Sequence, residues 1–155
     1  MAIDVELIKP FINGTKSVLE QFGMTDIKRG KLAKKDRLES KYPVTIVVGI
    51  VGELRGNVTY NLSMETAKGL VSAMMMGMEV TAMDEMAKSA LSELSNMITG
   101  NAAAVFESMG KIIDISPPTL ITGDNIIAWI SQVETIMLEI VTPVGIVELN
   151  IGLEV

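Results

Sequence analysis

Between Thr81 and Gly110 the sequence predicts one helix of about 28 residues, ~42 Å long at 1.5 Å per residue. Thr81, with Asp84 three residues on, forms a capping-box pattern, and Gly110 supplies the stop. On a wheel of 100° per residue, Met83, Ala87, Ala90, Leu91, Leu94, Ile98, Val105 and Met109 gather within about 60° of Leu94 as a continuous core stripe. Asn101 falls among them and would need a buried partner. The rest of the fold must cover that stripe.

The flanking sequence supplies strands to do so. Val44 to Val51 and Gly56 to Leu62 read as two strands around a turn at Gly52 to Arg55. Beyond the long helix, Ile112 to Ser116, Thr119 to Thr122, Ile126 to Ser131, Thr135 to Val141 and Gly145 to Leu153 all carry strand signals, with turns at Gly123-Asp124-Asn125 and Thr142-Pro143. Two further helices are expected. Asp4 to Phe22 places Val5, Ile8, Ile12, Val18, Leu19 and Phe22 at helical spacing, with Pro10 in the first turns or at a kink and Gly23 as the stop. Ser63 caps a short helix through about Met76, which Gly77 closes. Met74 to Met76 and Met78 read more simply as pliable core filler than as a binding surface.

A weak internal repeat runs through these elements. Val18-Leu19-Glu20 before Gly23 parallels Val105-Phe106-Glu107 before Gly110. Thr45-Ile46 parallels Thr135-Ile136, and Gly56 to Leu62 parallels Gly145 to Ile151, so the offset stays between 87 and 90 residues. The implied fold class is α/β (α+β): an antiparallel sheet with helices packed on it, a pseudo-two-fold between duplicated halves, and one long helix. A length of 155 residues suits a single domain spanning 1–155 with a full core.

Composition narrows the chemistry. With no cysteine and no histidine, disulfides, thiolate nucleophiles, nitrogen- or sulfur-ligated zinc and any Ser-His triad are excluded. Proton transfer would fall to carboxylates, Lys, Tyr or water. A net charge of −6 argues against a protein that tracks phosphate backbones, so no nucleic-acid partner is expected. Seven of the thirteen basic residues nevertheless fall between Ile27 and Lys41, a stretch best read as a hairpin arm or an exposed edge strand. With no aromatic platform between the charges, a solvated face explains it more simply than a nucleic-acid arm. Met1 to Pro10 carries Asp4 and Glu6 and lacks the apolar core of a signal peptide, and no uncharged stretch approaches a membrane span. By elimination, a cytoplasmic location and no membrane partner are expected.

The long helix carries a second stripe about 140° from the first: Ser89, Glu93, Asn96, Gly100, Ala103 and Glu107. Glu93 and Asn96, three apart, are neighbours on that face, and Gly100 and Ala103 would let a partner approach the backbone beside them. The wheel alone favours a merely solvated face. Two oxygen ligands from one turn fall far short of a magnesium or calcium shell, so no metal site is expected here. Asn96 cannot titrate, which removes a two-carboxylate hydrolase. An Asn does offer one acceptor and two donors, enough to hold a water and aim it. In phosphoryl hydrolysis, alignment of that water is a main protein contribution, and a neighbouring Glu could grip a cation on a docked partner.

Ser89-Ala90-Leu91-Ser92-Glu93-Leu94-Ser95-Asn96-Met97 resembles the signature of the CheC, CheX and FliY chemotaxis phosphatases, in which Ser or Asp precedes Glu-x-x-Asn by a turn. Pro117-Pro118-Thr119 downstream, Glu65-Thr66-Ala67, Ser72-Ala73-Met74-Met75, Gly77-Met78-Glu79 and Ile113-Asp114-Ile115-Ser116 extend the likeness from Val44 to Thr122. The resemblance implies hydrolysis of the phosphoaspartate on a CheY-like response regulator. Asn96 would orient the attacking water, Glu93 would contact the regulator's active-site lysine, and Ser89, Gly100 and Ala103 would line the contact. It also implies that the chain binds no cofactor of its own, the Mg2+ being supplied by the regulator. Family members carry one such motif per chain or one in each half. Subtracting the offset of 87 from Glu93 and Asn96 lands on Glu6 and Lys9, and Lys9 cannot accept a bond from water. One site per chain is therefore expected, which is closest to CheX, whose likeness implies a homodimer. The alternative is a non-catalytic adaptor of the same fold that binds a receiver domain or a flagellar switch component. A third possibility is a basic-arm module in which Lys28 to Lys41 meets an acidic partner or a membrane surface.

Overall fold

The computed structural model describes residues 5–124 and 127–154. Three helices, α1 (Val5–Gln21), α2 (Met64–Met74) and α3 (Glu85–Ser108), accompany nine strands. The strands are β1 (Lys28–Lys35), β2 (Leu38–Ser40), β3 (Val44–Gly52), β4 (Arg55–Leu62), β5 (Ile113–Ile115), β6 (Thr119–Thr122), β7 (Ala128–Ser131), β8 (Thr135–Thr142) and β9 (Gly145–Glu154). Seven of them form one antiparallel sheet in the order β1-β8-β9-β4-β3-β5, with β6 also paired to β3; β2 and β7 form a separate two-stranded sheet. This is the α+β architecture expected. The expected strands are all found where residues are described; Asn125 and Ile126 of the expected turn and strand lie outside them, as does Asp4.

Alternation along β4 and β9 turns Val58, Tyr60, Leu62, Val147, Leu149, Ile151 and Leu153 to one face, where they are buried with Leu91, Leu94 and Ile98 of α3. Between the helices, the Phe11 and Phe106 rings meet edge-on at 5.9 Å. At Gly14 α1 lies close against α3, since a Cβ there would lie 3.1 Å from the Ile98 carbonyl oxygen.

The repeat holds in geometry. Gly23 and Gly110 both adopt left-handed backbone, at φ 84° and 85°. The ends they form share the same bonds: Gly23 N–H to Glu20 O and Met24 N–H to Leu19 O, against Gly110 N–H to Glu107 O and Lys111 N–H to Phe106 O. Two repeat-equivalent pairs also meet each other. Tyr60 is the register partner of Leu149 in the β4/β9 pair, and Gly14 faces Asn101 across the helix pair. A residue that faces its own equivalent lies on the symmetry axis, so the pseudo-two-fold passes through the sheet centre and the helix crossing.

Several expectations are corrected. The N-cap of α3 is Asp84, whose side chain accepts the Ala87 N–H, and not Thr81. Residues 78–84 instead carry the chain from α2 to α3, which leaves Met83 outside the helix and gives α3 24 residues. Its buried arc is Ala87, Leu91, Leu94, Ser95, Ile98, Thr99, Ala102 and Phe106, turned by about 60° from the expected stripe. The wheel misplaced it because Ser95 and Thr99 are polar by type, yet each hydroxyl bonds a carbonyl one turn back and can be buried at little cost. Asn101 accordingly moves to the half-buried helix crossing, and Met109 is 43% exposed. The basic stretch is an edge strand and not a hairpin, because β1 pairs β8 while β2 pairs β7. Of the methionines, Met74 and Met75 pack against the core as expected, but Met76 and Met78 do not.

Candidate functional site

The turn of the core arc puts the second stripe of α3 almost opposite it. Glu93 and Ser89 are exposed, and Asn96, Gly100 and Ala103 are half-buried. Adjacent turns of one helix hold the Glu93 and Asn96 Cβ atoms about 5–6 Å apart. Among the described residues neither side chain forms an intramolecular hydrogen bond or ion pair, so the carboxylate and the carboxamide keep their full bonding capacity. Both lie on the outward side of α3, away from its buried arc, and so form part of the ridge that the helix presents. A ridge suits entry into another molecule's cleft. Beside the pair, a Cβ on Gly100 would meet nothing within 4 Å.

The ridge is held from beneath. The Tyr60 hydroxyl, fully buried, meets Thr99 Oγ1 at 2.7 Å, and Thr99 Oγ1 gives its own proton to Ser95 O at 2.7 Å. The proton in the first bond is therefore the phenol's. Ser95 Oγ in turn donates to Ser92 O at 2.8 Å, so these bonds flank Glu93 and Asn96 on the buried side. Burial pushes the Tyr60 phenol well above its usual value. Sequence reasoning missed this support, since nothing in the pattern ties a strand Tyr to a helix Thr 39 positions later.

The equivalent positions on α1, Glu6 and Lys9, are both exposed, and Pro10 follows within the helix. A lysine ammonium there has donors only, so this half offers no water-orienting pair. Among the described residues no group of three or more Asp or Glu could hold a metal ion, and Glu93 with Asn96 provides two ligating side chains against the six oxygen ligands of magnesium. No helix among them is long and apolar enough to cross a membrane.

A family model described as chemotaxis phosphatase CheX matches residues 44–140, a span that contains β3 through α3 and most of β8. The chain belongs to the CheX family. A curated relative from Thermotoga maritima named CheY-P phosphatase CheX is 36% identical over 124 residues, which is 80% of either chain. Among solved CheX structures, the chemotaxis protein CheX from Desulfovibrio desulfuricans superposes with a TM-score of 0.86 at 28% identity, covering 97% of this chain and 100% of that one. The CheX-CheY-BeF3-Mg+2 complex from Borrelia burgdorferi matches with a TM-score of 0.78 at 26% identity over 98% of this chain and all of that one.

Proposed function

We propose that this CheX-family chain is a protein phosphatase that hydrolyses the phosphoaspartate of a CheY-like response regulator. The observation that carries the reading is the unengaged Glu93–Asn96 pair on the outward ridge of α3, in a chain 36% identical to a CheY-P phosphatase. Asn96 accepts a hydrogen bond from a water and holds its oxygen in line with the phosphorus of a docked receiver domain. The water oxygen bonds to phosphorus as the bond to the aspartyl oxygen breaks. The carboxylate leaves with the electron pair, and inorganic phosphate and a free aspartate result. Asn96 itself gains and loses no proton. Glu93 meets a cation on the regulator and fixes the register. Gly100, Ala103 and Ser89 border the contact. Magnesium comes with the regulator, a reading supported by the Borrelia burgdorferi complex, whose composition includes CheX, CheY and Mg, and by the small oxygen-donor set that Glu93 and Asn96 offer. A homodimer is the proposed assembly, with one site in each copy.

The test is loss of label from phosphorylated CheY with and without the protein. Asn96→Ala is expected to lower kcat by about 100-fold or more while the protein melts as the parent does, because the side chain bonds nothing within the fold. Glu93→Ala is expected to raise KM more than it lowers kcat. An Asn96→Ala protein as fast as the parent overturns the mechanism.

A further inference from the structure

Three methionines between the end of α2 and the first turn of α3 face solvent. Met76 is 98% exposed, Met78 64% and Met86 58%. Met76 also sits in left-handed backbone at φ 58°, a conformation that costs a non-glycine residue energy, and its side chain gains no burial in return. Nothing in packing explains a large apolar side chain held out in this way. Met78 and Met86 line a single surface hollow of about 90 Å3, walled by Val80 and Ala87 and rimmed by Glu79 and Asp84. Met86 lies seven residues before Glu93, two helical turns, so it occupies nearly the same azimuth about 10 Å along the ridge. The hollow is therefore continuous with the face that bears Glu93 and Asn96.

We infer that Met78 and Met86, with the hollow they line, form an apolar docking surface for the same receiver domain whose phosphoaspartate meets Asn96. The inference rests on the functional reading above for the identity of its occupant. A body large enough to place its reaction centre against Asn96 overhangs the neighbouring turns of α3, and the patch lies along that ridge. Unbranched, polarizable thioether side chains adapt their shape to an apolar knob on a partner. The patch acts on engagement and not on the chemical step, so it holds the receiver while the ridge residues react.

The test uses the full-length chain and its own CheY, with binding of BeF3-charged, Mg2+-loaded CheY measured beside steady-state hydrolysis. The Met78→Gln/Met86→Gln double variant keeps side-chain length and removes apolar character. It is expected to raise Kd and KM about tenfold with kcat at saturation within twofold of the parent, and Met78→Leu/Met86→Leu is expected to restore both constants. Ile112→Gln, which removes exposed apolar surface at the far end of α3, is expected to change neither. Gln variants that bind as tightly as the parent overturn the inference, as does a fall in kcat alone. The two readings separate cleanly: Asn96→Ala that keeps full kcat ends the mechanism, whereas docking is judged by Kd irrespective of that result.

Discussion

Gly100 turns the ridge into a quantitative experiment. A glycine inside a helix costs about 0.8–1.0 kcal/mol relative to alanine, and a Cβ at this position would meet nothing within 4 Å. Gly100→Ala should therefore stabilise the fold by roughly that amount, a rise in Tm of about 2–4 °C for a chain of this size. If a receiver domain seats against the bare backbone here, the same methyl group projects into the interface, and KM should rise about tenfold; Gly100→Leu should raise it further with no loss of Tm. Gly14 supplies the contrast. Its added Cβ would lie 3.1 Å from the Ile98 carbonyl oxygen and 3.6 Å from the Ala102 nitrogen, both backbone atoms of the packed α3. Overpacking of about 1–3 kcal/mol then cancels or exceeds the helical gain, so Gly14→Ala should leave Tm unchanged or lower it. Differential scanning calorimetry and phosphate release on the same preparations give both readouts. A Gly100→Ala protein that is more stable and equally active, joined by an equally active Gly100→Leu, would refute the close approach. A drop in its Tm would refute the open geometry.

Alkaline stability should depend on Tyr60. Its folded pKa is raised by burial, so the unfolded chain releases the phenolic proton first; the stabilisation is complete below about pH 10 and is lost as pH rises from there toward the folded value. Tyr60→Phe should flatten the loss in denaturant midpoint above pH 10 while costing about 1 kcal/mol at neutral pH, because the Thr99 bond is gone. A parent and variant with parallel pH profiles would contradict the burial argument. For the proposed homodimer, sedimentation equilibrium should return about twice 16.7 kDa, and a monomer throughout would overturn that assembly.

Basicity and exposure coincide elsewhere on the surface without requiring a nucleic-acid function. Lys28 to Lys35 lie on the outermost strand of the sheet, where unpaired backbone groups invite aggregation and lysines deter it. Trp129, at 71% exposure, is no core residue; it lies on β7 with the Arg37 guanidinium carbon 4.8 Å from its ring centroid.

Local chemistry made much of this molecule legible in advance. Gly23 and Gly110 mark helix ends because only glycine takes φ near +85° without strain, and that mark is readable at any position. Ser63 caps α2 by accepting the Thr66 N–H, a bond formed within three residues. Glu93 and Asn96 share a face because 3.6 residues make a turn, whatever the helix packs against. The similar offsets of the strand pairs and of the glycine stops disclosed a duplication that the register of β4 with β9 now displays. Tertiary contact decided the rest. Which arc of α3 is buried depended on Ser95 and Thr99 finding acceptors one turn back, and on a Tyr60 hydroxyl that arrives from β4. Whether Asn101 needed a partner depended on Gly14 of another helix. Met75 and Met76 are the same residue type and adjacent in sequence, yet one packs on the core and the other points into water, because the turn that ends α2 swings the chain through left-handed backbone between them. Spacing and caps are properties of neighbouring residues; burial is a property of whatever the distant chain brings alongside.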